Sequence, residues 1–231
     1  MSHRAWCAAL ALLGGCSNLS APKGQPVSLE LSLPVPAAVE QNDTVHLLAR
    51  ALDINGDSVA AIIVWRTADT TLVAVDSNGR FTTTLTSGTG RVQALTGTLR
   101  SALTTLTIRP RSDTLAITLP DTIVVAATDT ASVSMVASVL SNNPAGGVNG
   151  TSILYEVDSL DQQRIADTAH FSGGLSALRV STGISGAPLT SVTLRRKLTT
   201  WKDTIHVRVS ASRPSGTPVP GSGQFFTILF Q

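Results

Sequence analysis

The chain of 231 residues has little charge: Asp, Glu, Lys and Arg make up 14% of it, against a usual share of about 25%. It contains only three Lys and three Glu. Because these strong helix formers normally cover helix surfaces, their scarcity excludes helical bundles, coiled coils and α/β folds with long surface helices. The net charge of +2 offers no basic field for a polyanion, which excludes a nucleic-acid partner.

The abundant residues favour β-strands. The chain contains 29 Thr and 25 Ser, and 42% of its residues are hydrophobic. Apolar and polar side chains alternate in segments 27–33, 45–52 and 204–210, a period of two that is typical of strands with one buried face. Turn signals such as Asn55-Gly56 and Asn78-Gly79 separate such segments. The pattern predicts an all-β fold of the sandwich type.

The first fifteen residues have the pattern of a secretory signal peptide. Arg4 precedes an apolar run over 5–13 that is too short to span a bilayer as a helix. The sequence Leu13-Gly14-Gly15-Cys16 resembles the lipobox of bacterial lipoproteins, in which the signal is cut just before a diacylated cysteine. The resemblance implies a signal peptide over 1–15 and a lipid on Cys16, followed by a flexible tether over 16–26.

The alternative is an ordinary signal peptide that is cut elsewhere. If cleavage precedes Cys16, Cys7 is removed and no disulfide can form, so the core alone must stabilise the mature chain. Two or three acyl chains bind a membrane stably. Ser17 stands where an Asp would retain the protein in the inner membrane, so the sorting pattern of diderm bacteria implies the outer membrane.

The predicted strands fall into two sets. The first set comprises 27–33, 45–52, 62–67, 72–75, 80–86, 89–96 and 98–109. The second comprises 114–126, which is broken at Pro120, and 131–140, 151–158, 163–169, 175–181, 188–196 and 203–211. Ile63-Val64-Trp65 and Ile153-Leu154-Tyr155 occupy corresponding places, which indicates a weak internal repeat. We therefore predict two tandem β-sandwich domains over 27–109 and 114–211, nearly end to end because the linker 110–113 is so short.

The first domain resembles bacterial Ig-like domains of group 2. The resemblance is carried by a strand with Trp65, by the hairpin Val73 to Arg80, and by the Gly-containing turn that leads into Arg91-Val92-Gln93-Ala94. It implies an Ig-like sandwich in which Trp65 is buried between the sheets. The second domain keeps the layout, but it has Tyr155 for Trp65 and lacks the Asp-Ser-Asn-Gly hairpin.

Two motifs could bind ions. The run Asp53-Ile54-Asn55-Gly56-Asp57 carries oxygen ligands at alternate positions, as a calcium loop does, but it lacks the later Glu and the second helix of an EF-hand. We interpret it as a turn, with calcium as the alternative. The basic run 195–197 is interpreted as a solvated hairpin end, with contact to anionic lipid or polysaccharide as the alternative.

The sequence contains no catalytic grouping that we can identify. His46 and His206 fall on the polar phase of their strands, and no two histidines have metal-ligand spacing. The sequence also has no Gly-x-Ser-x-Gly nucleophile elbow and no phosphate-binding loop. We therefore predict that the protein is not an enzyme and has no catalytic residue, cofactor or metal.

The last twenty residues begin with a Pro/Gly spacer and end in an aromatic strand. Phe226, Ile228 and Phe230 share one strand phase, and Phe225 and Leu229 share the other, so both faces of the strand are apolar. The strand either pairs with an edge of the second domain or adds to a partner's sheet. In the second case Phe225, Phe226, Ile228 and Phe230 are the partner contact.

The sequence thus predicts a lipid-anchored envelope protein, held to a membrane through Cys16. Its Ig-like domains would be non-catalytic adhesion, spacer or assembly modules with a protein or polysaccharide partner. One alternative is a component of an envelope or secretion complex that docks through its C-terminal strand. Another, less favoured, is a carbohydrate-binding or enzymatic accessory protein.

Overall fold

A computed structural model of the chain describes residues 24–158, 169–183 and 187–231. These residues form strands and loops with one short 3-10 helix at Ser172–Gly174, which confirms the predicted all-β, Ig-like sandwich fold. The predicted signal peptide, Cys16 and most of the predicted tether lie outside the described residues. So do nearly all of the predicted strand 163–169 and residues 184–186 of a predicted turn.

The N-terminal set of strands covers residues 28–109. Its members are β1 (Ser28–Ser32), β2 (Ala38–Glu40), β3 (Thr44–His46), β4 (Leu48–Leu52), β5 (Ser58–Val59), β6 (Val64–Thr67), β7 (Ala74–Val75), β8 (Arg80–Thr82), β9 (Gly88–Thr96), β10 (Leu99–Arg100) and β11 (Thr104–Arg109). They form the sheets β1-β4-β5, β3-β8-β7 and β10-β9-β11-β2, with β6 paired to β9.

The C-terminal set covers residues 114–230. Its members are β12 (Thr114–Ile117), β13 (Thr122–Val125), β14 (Met135–Asn142), β15 (Ala145–Gly147), β16 (Ser152–Val157), β17 (Ala169–His170), β18 (Ala177–Ser181), β19 (Leu189–Val192), β20 (Arg195–Arg196), β21 (Asp203–Ala211) and β22 (Gln224–Phe230). The sheet β13-β22-β21-β16-β18 faces the sheet β12-β14-β15, which also carries β19 on β14, and β17 pairs with β20.

Each set of strands encloses its own hydrophobic core. Phe81, Leu47 and Leu106 are fully buried in the N-terminal core, while Tyr155 and Phe226 are among the largest buried side chains of the C-terminal one. Side chains from both facing sheets meet in each core, which is what makes a sandwich. Burying one such side chain contributes about 1.5–3 kcal/mol.

The two sets share a pairing pattern. In the first, β2 runs parallel to β11, β11 pairs antiparallel with β9, and β9 pairs with β6. In the second, β13 runs parallel to β22, β22 pairs antiparallel with β21, and β21 pairs with β16. Trp65 on β6 and Tyr155 on β16 therefore occupy equivalent strands, as the sequence repeat predicts.

Trp65 is less buried than the sequence predicts. It is half-buried at the margin of the N-terminal core, because β6 is an edge strand that pairs only with β9 among the described strands. Tyr155 lies on an inner strand and is fully buried. The largest fully buried side chain of the N-terminal set is Phe81.

The C-terminal strand follows the first of its two predicted alternatives, pairing within the C-terminal set, and the second alternative, a partner contact, is corrected. β22 is an inner strand of the chain's own sheet, between β13 and β21. Phe226, Ile228 and Phe230 are 1%, 0% and 4% exposed and cannot form a partner contact, whereas Phe225 on the other face is 41% exposed. The C-terminal sheets thus extend beyond residue 211, because β22 fills the place that β11 fills in the N-terminal set.

Several strand predictions differ in detail from the structure. β2 was not predicted, because three residues that follow Pro34 and Pro36 are too few to show alternation. The predicted strand 45–52 is interrupted at Leu47, whose N–H donates to the Gly79 carbonyl at 2.9 Å. The predicted strand 98–109 is likewise interrupted between β10 and β11.

Candidate functional site: the junction between the two sets of strands

The Asp53–Asp57 segment is a tight turn closed by its first side chain. Asp53 Oδ1 accepts hydrogen bonds from the N–H groups of Asn55 at 2.9 Å and Asp57 at 3.0 Å. Gly56 lies at φ 84°, in the left-handed region that favours glycine. The carboxylate thus serves the backbone of its own turn, as Asp side chains commonly do.

A second turn repeats this arrangement. Asp76 Oδ1 accepts from the N–H groups of Asn78 at 2.8 Å and Arg80 at 2.9 Å, and Gly79 lies at φ 77°. The N–H of Arg80 is the main reason why the pKa of Asp76 lies below its usual value. At Asp53, burial tends to raise the pKa, but the N–H groups of Asp57, Asn55 and Gly24 together hold it below its usual value.

The remaining predicted candidates do not converge. His46 and His206 are exposed, in agreement with their polar phase. Within residues 24–158, 169–183 and 187–231 there is no group of three or more His, Cys, Asp or Glu side chains that could hold a metal ion. The same ranges contain no helix of the length and apolarity that crossing a membrane requires.

The basic run 195–197 divides between surface and core. Arg195 and Lys197 are exposed, but Arg196 is 3% exposed. The Arg196 guanidinium donates to the backbone oxygens of Ala126, Ala127, Asp129, Trp201 and Gln231 at 2.7–3.0 Å. It lies 5.4 Å from the Phe230 ring centroid. Arg196 therefore ties several loops together and is not part of a solvated hairpin end.

The most extensive buried polar cluster joins the two sets of strands. Glu40, at the end of β2, has no exposed surface. Arg109, at the end of the neighbouring β11, donates through Nη2 and Nε to Glu40 Oε1 at 2.9 and 3.2 Å. Arg109 also donates through Nη1 to the Gly150 carbonyl at 2.6 Å. A guanidinium of the N-terminal set thus holds a loop of the C-terminal set.

Residues after β11 complete the cluster from the other side. Ser112 donates to Glu40 through its N–H at 2.9 Å and through its hydroxyl at 2.6 Å. Arg213, from the loop before β22, donates twice to the Ser112 carbonyl at 2.8 and 3.0 Å and lies 3.6 Å from Glu40 Oε2. We call Glu40, Arg109, Ser112 and Arg213 the junction cluster.

The charges of the junction cluster are better suited to fixing the relative orientation of the two sets of strands than to stabilising the folded state. Desolvation by burial lowers the pKa of Arg109, and the charge of Glu40 opposes that effect. For a buried ion pair, the desolvation cost commonly offsets the Coulomb attraction. The bonds of the junction cluster are satisfied only when Gly150, Ser112 and Arg213 stand where they do relative to Glu40. The cluster is therefore suited to fixing one relative placement of the two sets.

Sequence reasoning did not identify the junction cluster. Its members lie far apart in the chain: Glu40 and Arg109 are 69 residues apart, and Arg213 and Ser112 are 101 apart. One signal was available, since Glu is rare in this chain and Glu40 directly follows two apolar residues. A carboxylate in such a place is buried only when it is paired.

The tether and the junction lie at opposite ends of β3 and β4. Before β3, Asp43 Oδ2 accepts a 2.7 Å hydrogen bond from Ser215 of the C-terminal set. After β4, the Asp53 turn lies next to Gly24, whose N–H is 3.5 Å from Asp53 Oδ2. A strand rises about 3.3 Å per residue, so the nine residues from the start of β3 to the end of β4 separate these two ends by at most about 30 Å.

Comparisons with known proteins were made for the sequence and for the structure. Neither a known protein family nor a curated protein matches the sequence. Among solved structures, the adhesin InvE of Yersinia pseudotuberculosis aligns over 88% of this chain and 58% of its own, at 12% identity and a TM-score of 0.39. This chain thus spans little more than half of that structure.

Two further structures show the same range of similarity. Domains 4 and 5 of the S-layer protein SbsC align over 89% of this chain and 98% of their own, at 13% identity and a TM-score of 0.33. The Escherichia coli adhesin FdeC aligns over 87% and 63%, at 14% identity and a TM-score of 0.32. Similarity at this level does not define function, and our fold assignment is based on the chain's own strands and cores.

Proposed function

We propose that the protein is a non-catalytic spacer or adhesion module of the bacterial cell envelope, anchored by a lipid on Cys16. In this proposal residues 27–109 and 114–230 are two tandem Ig-like domains. The proposal is carried by the positions of the two attachment points on the N-terminal set. The tether enters beside the Asp53 turn, and the second set of strands is attached at the opposite end, beside Asp43.

Attachment at opposite ends would allow the N-terminal set to project the C-terminal set away from a membrane. Residues 17–26 would reach about 33 Å when fully extended, and the strands β3 and β4 add their own length before the junction. The junction cluster then holds the C-terminal set in one placement relative to the N-terminal set, so that its outer loops would be presented away from the tether. Docking through Phe226, Ile228 and Phe230 is not part of the proposal, because these side chains fill the core.

The anchor is tested by cell fractionation of Cys16→Ser beside the matched control Cys7→Ser. If the lipid is on Cys16, Cys16→Ser should leave the membrane fraction or keep its signal peptide, and it should lose labelling by radioactive palmitate. Cys7→Ser should behave as the unsubstituted protein does. Normal processing and membrane retention of Cys16→Ser would contradict the anchor.

Display at the surface is tested separately. Proteinase K added to intact cells should remove the protein if it faces outward, while a periplasmic protein in the same cells remains intact. Protection until the outer membrane is permeabilised would place the modules in the periplasm and would exclude an adhesion role.

A further inference from the structure

A cleft of about 490 Å³ opens on the N-terminal set, next to the junction. It is bounded by the segment before β3, by the loop before β7, and by the end of β8. It is lined by residues 42–44, 70–74 and 82–84, and we call it the threonine cleft. Its volume lies within the range of about 300–1,000 Å³ that is usual for small-ligand sites.

The hydroxyl groups of this cleft are largely unused by the protein. Of its six threonine hydroxyls, only that of Thr83 bonds to another described residue: it donates to the Leu72 carbonyl at 2.9 Å and accepts from the Leu85 N–H at 3.1 Å. The hydroxyls of the other five have no hydrogen-bond partner within the described part of the chain: Thr44, Thr70, Thr71, Thr82 and Thr84. Each can act as both donor and acceptor toward a ligand.

The rim of the cleft adds an amide and a carboxylate. Asn42 is exposed and lies at φ 55°, the only non-glycine residue with positive φ in the described ranges. The Asn42 N–H donates a hydrogen bond to the Thr83 carbonyl at 2.9 Å. Its side-chain amide bonds to no described residue. Asp43 is held by Thr44 and Ser215, yet each of its oxygens has a further lone pair for a ligand.

The charge of the lining selects the kind of ligand. Asp43 is its single ionisable side chain, so an anionic ligand would be repelled and would find no cation to pair with. Neutral hydroxyl and amide groups with one carboxylate are complementary to a polyol that offers donors and acceptors together. Leu72, which is 41% exposed, provides an apolar contact for the C–H face of a sugar ring.

We propose that the threonine cleft binds a neutral carbohydrate segment. This inference deepens the proposed surface role by naming its partner class, and its biological meaning depends on that role. Affinity should be in the millimolar range, because the cleft is open and its lining contains no aromatic platform. The position beside Ser215 places the bound sugar at the junction, at the end of β3 that is remote from the tether.

The test is two-dimensional NMR of the full chain carrying Cys16→Ser, which removes the lipid without altering the cleft. Neutral oligosaccharides of glucose, galactose, mannose and N-acetylglucosamine are added at millimolar concentration, with polygalacturonate fragments as the acidic comparison. At least one neutral probe should shift the amides of residues 42–44, 70–74 and 82–84. No such shift with any neutral probe, or shifts with the acidic probe alone, would overturn the proposal.

Matched variants locate the site. Thr71→Val and Thr82→Val keep the branched shape and remove one hydroxyl each, and each should weaken binding roughly three- to tenfold. Thr105→Val is the control, since Thr105 is exposed on the other sheet, on β11. Equal binding by all three variants would overturn the assignment to this cleft. Loss of sugar binding leaves the anchor unaffected, because fractionation of Cys16→Ser tests the anchor independently.

Discussion

Glu40 and Arg109 form an ion pair of 2.9 Å in which the carboxylate side chain is 0% exposed and the guanidinium side chain 8%. They stand side by side on the parallel strands β2 and β11. Arg109 bonds onward to Gly150 of the C-terminal set, and Glu40 bonds onward to Ser112 of the linker. The pair is therefore a link between the sets of strands as well as a contact within one of them.

Removing the charge of Glu40 should destabilise the protein. Glu40→Gln leaves the Arg109 guanidinium buried without its counter-ion, so we expect a loss of roughly 3–5 kcal/mol in urea unfolding of the full chain. Glu30→Gln is the control, because Glu30 pairs with Arg50 at the surface, where the side chains are 52% and 60% exposed. It should cost less than about 1 kcal/mol. Similar losses for the two variants would contradict a buried junction.

The two Asp-x-Asn-Gly turns offer a matched pair of glycine substitutions. Gly56→Ala and Gly79→Ala both place alanine at positive φ, which costs about 1–2 kcal/mol. A Cβ at Gly56 would meet nothing within 4 Å, whereas one at Gly79 would meet the Leu47 carbonyl oxygen at 2.5 Å and Trp65 Cε2 at 3.0 Å. Gly79→Ala should therefore cost about 1–3 kcal/mol more by thermal or chemical unfolding. Equal costs would show that Trp65 does not pack over this turn.

Neighbouring phenylalanines test the placement of β22. Phe226→Ala should cost about 3–5 kcal/mol, because it empties a site in the C-terminal core. Phe225→Ala removes a side chain that is 41% exposed. It loses contacts with Arg208, at 5.9 Å from the ring centroid, and with His206, at 6.5 Å between ring centroids. We expect about 1 kcal/mol. A larger loss at position 225 in chemical denaturation would show that the strand faces the other way.

The only tyrosine of the chain reports on the core by its titration. Tyr155 is fully buried and its hydroxyl lies 2.6 Å from Thr190 Oγ1 on the opposite sheet. Burial raises the pKa of Tyr155 to about 12 from 10.0, partly opposed by the hydrogen bond to Thr190.

Because the folded state disfavours tyrosinate, stability is unaffected below pH 10 and falls as pH rises from about 10 to about 12. The loss reaches about 2–3 kcal/mol. Tyrosinate absorbance during alkaline titration measures this pKa directly, and Tyr155→Phe should abolish the pH-dependent loss that belongs to this group. A pKa near 10 in the folded chain would contradict the burial.

The sequence predicted the parts of the fold that depend on local pattern. β21 is predicted at its observed bounds, because its apolar phase of Ile205, Val207 and Val209 is regular, and Pro120 correctly divides the strands β12 and β13. Both Asp-x-Asn-Gly turns were also identified, since their hydrogen bonds close within five residues.

The missed features depend on distant parts of the chain. The apolar phases of β22 indicated a strand covered on both sides, but no local pattern states that β13 and β21 are the strands that flank it. The junction cluster was not predicted for the same reason: the burial of Glu40 depends on Ser112 and Arg213, which are distant in the sequence. The threonine cleft escaped too, because threonine in a β protein is first explained by strand propensity.

The relative orientation of the two sets of strands in solution decides whether the junction cluster fixes one placement. Residual dipolar couplings of the Cys16→Ser chain should fit a single alignment tensor for the amides of β1–β11 and β12–β22 together. Adding Glu40→Gln should require separate tensors for the two sets. Separate tensors in the chain that retains Glu40 would contradict the claim that the junction cluster fixes one placement.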